Sequence, residues 1–362
     1  MKEEPKVLYL VSEQGFSGLH TICLGITLRL RRQGYRLGYM KPLGNRYRKE
    51  GDLLTDDDAY ETRRELGLEE ELKDICPVIF TAQLVREALS EGRPDYLSSV
   101  RRAFSRVSEG KDIVILQGPL AAAQGAFLGI STYRLAREFA ARVVMVEKYD
   151  DAFFVDHLLC ARDAFGDRLE GVIYNMVPPV RYSFVNETLK PYLEETEGIP
   201  VFGVIPEDRP MKAVSARELA EGLRGEVLAG EDALENQVEG VLVGAMGPEH
   251  AISIFRKRKG QCVVTGGDRS DIQLAALEVG MPCLILSGSL YPSSIILGKA
   301  DELKIPVILV PDDTLGAAEK VDLILKTSRT RDPRKLARIE ELLDMYLDWE
   351  RLLRMTGLPP RS

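Results

Sequence analysis

The sequence has little of what staples a small fold or gathers a metal. Its five cysteines (Cys23, Cys76, Cys160, Cys262 and Cys283) stand singly, far from the pairings of a disulfide framework or a zinc site. Three histidines, His20, His157 and His250, are too dispersed along the chain for a histidine-rich metal cluster. No apolar run approaches the roughly 20 residues that a membrane helix needs. Surplus positive charge is missing as well. The 48 Lys and Arg are outnumbered by 56 Asp and Glu, a net charge of -8, so neither nucleic acid nor an anionic membrane is an expected partner. The opening Met1-Lys2-Glu3-Glu4-Pro5 carries acids where a secretory signal carries bases, and the expected compartment is the cytoplasm. Internal repeats and low-complexity segments are also lacking.

What is present is an α/β pattern. The 362 residues, 45% of them hydrophobic, suffice for two domains with cores of their own. Near-continuous apolar runs at Lys6 to Ser12, Arg36 to Met40, Ile113 to Gln117, Arg142 to Val146, Gly171 to Asn175 and Val201 to Ile205 predict strands buried on both faces. Amphipathic stretches between them, such as Leu19 to Gln33 and Asp95 to Ser108, predict helices on both faces of a mostly parallel sheet. The first domain is expected over 1–214. Residues 215–239 are small, acidic and dotted with glycine, the composition of a linker or hinge. A smaller α/β cycle is expected over 240–330, with strands at Val241 to Met246, Gln261 to Thr265, Cys283 to Ser287 and Pro306 to Val310. Residues 331–362 read as one amphipathic helix: Asp332-Pro333 opens it, and Leu336, Ile339, Leu342, Leu343, Tyr346 and Leu347 recur on one face until Gly357. That face covers either its own domain or a subunit interface.

The segment richest in chemistry is Ser12-Glu13-Gln14-Gly15-Phe16-Ser17-Gly18-Leu19-His20-Thr21, which joins the first strand to the first helix. Such a loop aims backbone N–H groups and the positive end of a helix dipole at one point, an anion site. A working phosphate loop follows its last glycine with lysine and then Ser or Thr for magnesium. Here Leu19 and His20 hold those positions, and Thr21 comes one residue late. Backbone binding of phosphate survives that change, whereas the charge for phosphoryl transfer does not. The alternative is a tight turn without a ligand, with His20 an ordinary helix-start residue. Lys41-Pro42 follows a strand end, where ligands gather in open α/β sheets. Asp56-Asp57-Asp58 offers either carboxylates for magnesium, with Asp57 the candidate, or a helix cap. The strand Ile113 to Gln117 ends in an amide where a nucleotidase presents an acid.

These strings, with Gly25, Gly34, Lys41-Pro42, Gln117-Gly118 and Gly171 to Asn175, resemble the dethiobiotin synthetase-like P-loop domain in the version found at the N-terminus of long bacterial phosphate acetyltransferases. The resemblance implies a nucleotide- or phosphate-binding set of Gly15, Ser17, Gly18, Leu19, His20, Thr21, Lys41, Gln117 and Asn175, with Asn175 at the adenine-holding position. It also implies ATP or ADP with magnesium as cofactor. Leu19 and Gln117 depart from the synthetases, and the departure at Leu19 is shared by the acetyltransferase version. Val263 to Ile272, containing Gly266-Gly267-Asp268-Arg269, resembles the signature of the DRTGG domain. There Thr265, Gly266, Gly267, Asp268, Arg269 and Ser287 form a candidate anion site, unless Asp268 merely caps a helix and Arg269 merely pairs with an acid. The run Arg256-Lys257-Arg258-Lys259 is either a solvated helix end or a second anion or partner site.

The acetyltransferase catalytic domain is not expected in the remaining residues. The expected function is therefore a regulatory or scaffold protein with no catalytic residues of its own. Its DRTGG domain and C-terminal helix would form a homo-oligomer, a dimer first, and an acetyltransferase is a further candidate partner. One alternative is an ATP-dependent ligase of the dethiobiotin or cobyrinic acid a,c-diamide synthase type, using Lys41 and Asp57. Another is an assembly partner of a separate acetyltransferase.

Overall fold

Six of the apolar runs pair into one sheet because each is buried on both faces and finds its ladder partners only in the others. The computed structural model describes residues 4–151, 155–327, 333–359 and 361. Besides a two-residue parallel pair, Leu43–Gly44 with Val78–Ile79, the strands of the first unit are β1 (Lys6–Val11), β2 (Leu37–Met40), an antiparallel hairpin β3 (Tyr47–Glu50) and β4 (Leu53–Asp56), then β5 (Ile113–Gln117), β6 (Arg142–Lys148), β7 (Leu169–Val177) and β8 (Val201–Pro206). The six-stranded sheet runs β8-β7-β6-β1-β5-β2, every neighbouring pair parallel. The chain moves to one side of β1 to form β2 and β5, then to the other for β6, β7 and β8. This reversal makes the carboxyl end of β1 the switch point, where an α/β sheet opens a crevice. Register sets the edge of that crevice: Leu10 lies opposite Gln117, Val11 opposite Met145, and Lys148 opposite Asn175.

Three helices of this unit bear on the site: α1 (Leu19–Arg32), α2 (Asp57–Glu65) and α3 (Asp156–Phe165). Leu19, Ile22, Cys23, Ile26 and Leu30 form the buried stripe of α1, and Arg29, Arg31 and Arg32 in its last turn complement the dipole.

The C-terminal stretch differs from the single helix expected. Asp332 lies outside the described residues. From Pro333 the chain forms two helices, separated at Leu347 and Asp348, where it bridges to the edge strand β8. Leu347 pairs with Gly203, and the Asp348 N–H donates to the Phe202 carbonyl at 2.7 Å. Asp348 then caps the second helix by accepting from the Arg351 N–H. The first of these helices packs on α1 so closely that a Cβ at Gly25 would lie 2.5 Å from Leu343 Cδ1. Its apolar face is thus taken up by the first unit, which comprises residues 1–207 and 330–362.

The second unit is residues 208–329. It corrects the expected linker. Within 215–239 stands α4 (Ala216–Leu223), opened by a reciprocal capping box between Ser215 and Glu218, followed by β9 (Glu226–Ala229). Strands β10 (Gly240–Val243), β11 (Gln261–Gly266), β12 (Leu284–Ser287) and β13 (Val307–Leu309) complete a sheet ordered β9-β13-β12-β11-β10, with only β9 antiparallel. The segment is small and acidic, yet Leu219, Leu223 and Leu234 fill the core beside Val264, Ile285 and Ile308, so it is part of the domain and not a hinge. The opposite face buries Phe255, Val263, Ile272, Leu284, Leu286 and Val307. Between β11 and β12 lies helix α5 (Ser270–Val279). The two C-terminal helices are α6 (Pro333–Tyr346) and α7 (Trp349–Thr356).

Candidate functional site

The loop leaving β1 is held from below and from one side. Gly18 takes the left-handed conformation at φ 78°, and a Cβ there would meet the Asn175 amide at 2.3 Å. Asn175 Nδ2 donates to the Ser17 carbonyl at 2.9 Å, so the asparagine at the expected adenine-holding position also supports the loop. Gly15 sits beneath Leu120, and Phe16, half exposed, also has positive φ at 61°. Helix α1 starts on Gly18 without a side-chain cap, so its first-turn N–H groups receive no hydrogen bond from the capping residue's side chain. The Leu19 side chain is buried and carries no charge to offer a phosphate.

Beside the loop lies a buried ionic network. Lys41 Nζ donates to Asp56 Oδ1 at 2.9 Å and Asp58 Oδ2 at 2.6 Å, with all three side chains almost wholly enclosed. Gln117 joins it: Nε2 donates to Asp58 Oδ2 at 3.1 Å, and Oε1 accepts from the Tyr39 hydroxyl at 2.8 Å. Those partners fix the amide's orientation, so His20 Nδ1, 3.2 Å from the same Oε1, must be the protonated nitrogen of that contact. His20 Nε2 faces Glu61 at 3.7 Å. Burial opposes charge on Lys41, but Asp58 and Asp56 overcome it and hold the ammonium firmly. Burial likewise resists ionisation of Asp58, yet Lys41, His20 and Arg46 keep its carboxyl well below the usual range. His20 is raised for the same reason: Asp58 and Glu61 outweigh its desolvation.

This donor set does not fit magnesium. A loop of this type holds the ion through a hydroxyl at the position of His20 and an acid at the strand end occupied by Gln117. Here those two residues bond each other. Asp57, expected to supply a carboxylate, instead pairs with Arg48 at 3.3 Å, while Asp56 caps α2 through the Asp58 and Ala59 N–H groups. Among the described residues no three His, Cys, Asp or Glu converge to hold a metal ion.

On the far side of the loop is a residue that no motif in the sequence marks. Glu147, fully buried at the end of β6, accepts from the Glu13 N–H at 2.9 Å, and the Ser12 hydroxyl lies 3.3 Å away. Its other oxygen is buried without a hydrogen-bond partner among the described residues, with His157 Nδ1 of α3 at 4.0 Å. Burial, with the Glu13 charge adding, pushes the carboxyl up to about 7. Glu13 is itself raised, by burial first, and accepts from the Tyr133 hydroxyl. The signal available in the sequence was an acid at the carboxyl end of a buried strand, Val146-Glu147.

In the second unit Thr265, Gly266, Gly267, Asp268, Arg269 and Ser287 do come together at the ends of β11 and β12. The close approach that Gly267 permits is by the protein's own chain: a Cβ there would lie 1.7 Å from the Leu290 carbonyl. Arg269 is bidentate to Asp271 at 3.0 Å and donates to the Met246 carbonyl, so its charge is already answered. Ser287 Oγ shares a hydrogen bond with Thr314 at 2.8 Å. Arg256 to Lys259 are exposed at the end of the helix Pro248–Lys257, a solvated terminus.

Residues 6–215 match the AAA domain family, and residues 218–324 match the DRTGG domain. The chain belongs to the AAA domain family. In this P-loop chain the AAA and DRTGG domains follow one another as in the N-terminal region of phosphate acetyltransferases. The enzymes of that name from Nitrosomonas europaea and Deinococcus radiodurans are 24% and 25% identical, over 97% and 95% of this chain. The matched stretch is 52% and 50% of those proteins, so the chain spans about half the length of the curated relatives it matches. Among solved structures, a cobyrinic acid a,c-diamide synthase from Mycobacterium smegmatis with bound ADP and magnesium covers 56% of this chain and 87% of its own at 14% identity, TM-score 0.35. The CBS and DRTGG domains of a Clostridium perfringens pyrophosphatase regulatory region, complexed with diadenosine tetraphosphate, cover 43% and 76% at 17% identity, TM-score 0.29. No helix among the described residues of this AAA–DRTGG chain is long and apolar enough to cross a membrane.

Proposed function

We propose that this chain is a regulatory segment whose AAA domain binds a phosphate-bearing small molecule, such as ATP or ADP, without turning it over. One observation carries this reading: the groups that would perform phosphoryl chemistry are spent on one another. Lys41 is locked between Asp56 and Asp58, and His20 is bonded to Gln117. What remains at the loop is backbone N–H and the α1 dipole, which bind anions but do not move protons or charge. Titration of the purified protein with ATP and magnesium in a calorimeter, followed by a phosphate-release assay, tests it. Saturable heat without release is expected. Release that disappears in Lys41→Ala would replace this reading with the ligase one.

Self-association through the DRTGG unit is the second part of the proposal. Leu290, Tyr291 and Ile295 are exposed apolar side chains close together in sequence, at 49%, 63% and 74%, and they support an interface there. A dimer in analytical ultracentrifugation that Ile295→Asp dissociates is the expected result. A separately encoded acetyltransferase is the partner that the relatives' remaining half would supply, and co-purification of such an enzyme tests that.

A further inference from the structure

We infer that the phosphate loop takes its ligand without a divalent cation. This rests on the reading that the loop binds a phosphate-bearing molecule, and it specifies the form in which that molecule arrives. The argument starts from the two positions a phosphate loop uses to hold magnesium. At the first, His20 presents an imidazole N–H; at the second, Gln117 presents an amide. They are 3.2 Å apart and satisfy each other. Magnesium demands an octahedron of oxygens and keeps several waters, so a site closed by an imidazole–amide hydrogen bond offers it no anchorage.

The carboxylates of the Asp56-Asp57-Asp58 run are unavailable for a separate reason. Asp56 and Asp58 share the Lys41 ammonium at 2.9 and 2.6 Å inside the protein, and Asp58 also accepts from Gln117. A magnesium ion would have to displace a buried lysine whose charge those same carboxylates stabilise. Lys41 therefore stands as the permanent cation of this cluster, fixed by the fold and not delivered with the ligand. Asp57, the remaining acid of the run, is engaged by Arg48 at 3.3 Å. The ligand class is accordingly a free phosphate ester or polyphosphate anion, recognised by the loop's N–H groups.

The test is calorimetric titration of the full chain with ATP, and separately with inorganic pyrophosphate, once in excess EDTA and once in excess magnesium chloride. The inference expects the Kd in EDTA to be within threefold of that in magnesium, or tighter. Binding that weakens tenfold or more in EDTA overturns it while leaving the phosphate reading intact. Absence of saturable heat with both probes in both buffers overturns the phosphate reading, and this inference with it. The double substitution His20→Thr with Gln117→Asp restores an oxygen donor set and is expected to make ATP binding at least tenfold tighter in magnesium than in EDTA. A folded double variant, checked by Trp349 fluorescence, that shows no such difference overturns the assignment of these two positions.

Discussion

Substituting Glu147 by glutamine should favour the first unit more at alkaline pH than at acid pH, whatever its net effect at either one. The glutamate is buried beside Glu13, and its carboxyl lies at about 7 against 4.5 for an ordinary one. Between those values the folded protein holds a proton that the unfolded chain has released, so stability falls as pH rises through this window and levels off above it. At about 1.4 kcal/mol per tenfold change, the ionised form costs the fold about 3 kcal/mol at pH 8.5 and about 1 kcal/mol at pH 5. Glutamine keeps an oxygen to accept from the Glu13 N–H, now 2.9 Å from Glu147, and removes the charge. Its amide nitrogen replaces an oxygen that already lacks a partner, a cost of about 1–3 kcal/mol that does not vary with pH. The diagnostic quantity is therefore the change in the variant-minus-parent stability between pH 5 and 8.5, about 2 kcal/mol in the variant's favour. Trp349, the only tryptophan, lies in α7 of the first unit, so urea unfolding followed by its fluorescence reads the relevant domain. A difference that is the same at both pH values would refute the claim that Glu147 is held protonated near neutrality.

Lys41→Met should cost about 3–5 kcal/mol, because it leaves Asp56 and Asp58 buried without their cation; a loss below about 1 kcal/mol in the same fluorescence assay would contradict the network described. In the second unit, Gly267→Ala forces a methyl against the Leu290 carbonyl, 1.7 Å from the ideal Cβ position. It should destabilise that unit by about 1–3 kcal/mol or more. Hydrogen exchange of the β11 amides is the readout, and unchanged protection would show that the 288–291 loop moves aside freely.

The parallel sheets were legible because strands buried on both faces leave uninterrupted apolar runs; β5 begins and ends where Ile113 to Gln117 predicts. The hairpin β3–β4 was not. Its strands carry Arg48, Lys49 and Glu50 and expose Tyr47, Leu53 and Leu54, so neither alternation nor apolarity marks them. The expected linker failed differently. Its core contribution comes from a few leucines spaced on a helix of eight residues and from a four-residue strand, too little pattern to outweigh the glycines and acids around them. The C-terminal helix was legible as an amphipathic face, but its break at Leu347 depends on an edge strand more than a hundred residues earlier. No local spacing encodes that pairing.

At the site, the sequence exposed the positions but not the partnerships, and the partnerships decide the chemistry. Lys41, the aspartate run and Gln117 were each visible as residues at strand ends or a helix start. That Lys41 reaches back to Asp56 and Asp58, and that Gln117 spans His20, Tyr39 and Asp58, is a property of the assembled crevice. Once assembled, the network explains its own composition. An aspartate at 117 would add a third buried carboxylate beside Asp56 and Asp58 and remove the amide that now donates to Asp58 at 3.1 Å, leaving Lys41 to answer all three. Glutamine avoids that by presenting a donor to Asp58 and an acceptor to Tyr39 and His20 at once. The amide that looks like a missing acid in the sequence is thus the residue that lets a lysine–aspartate cluster be buried beside the phosphate loop, and it is satisfied on both of its ends.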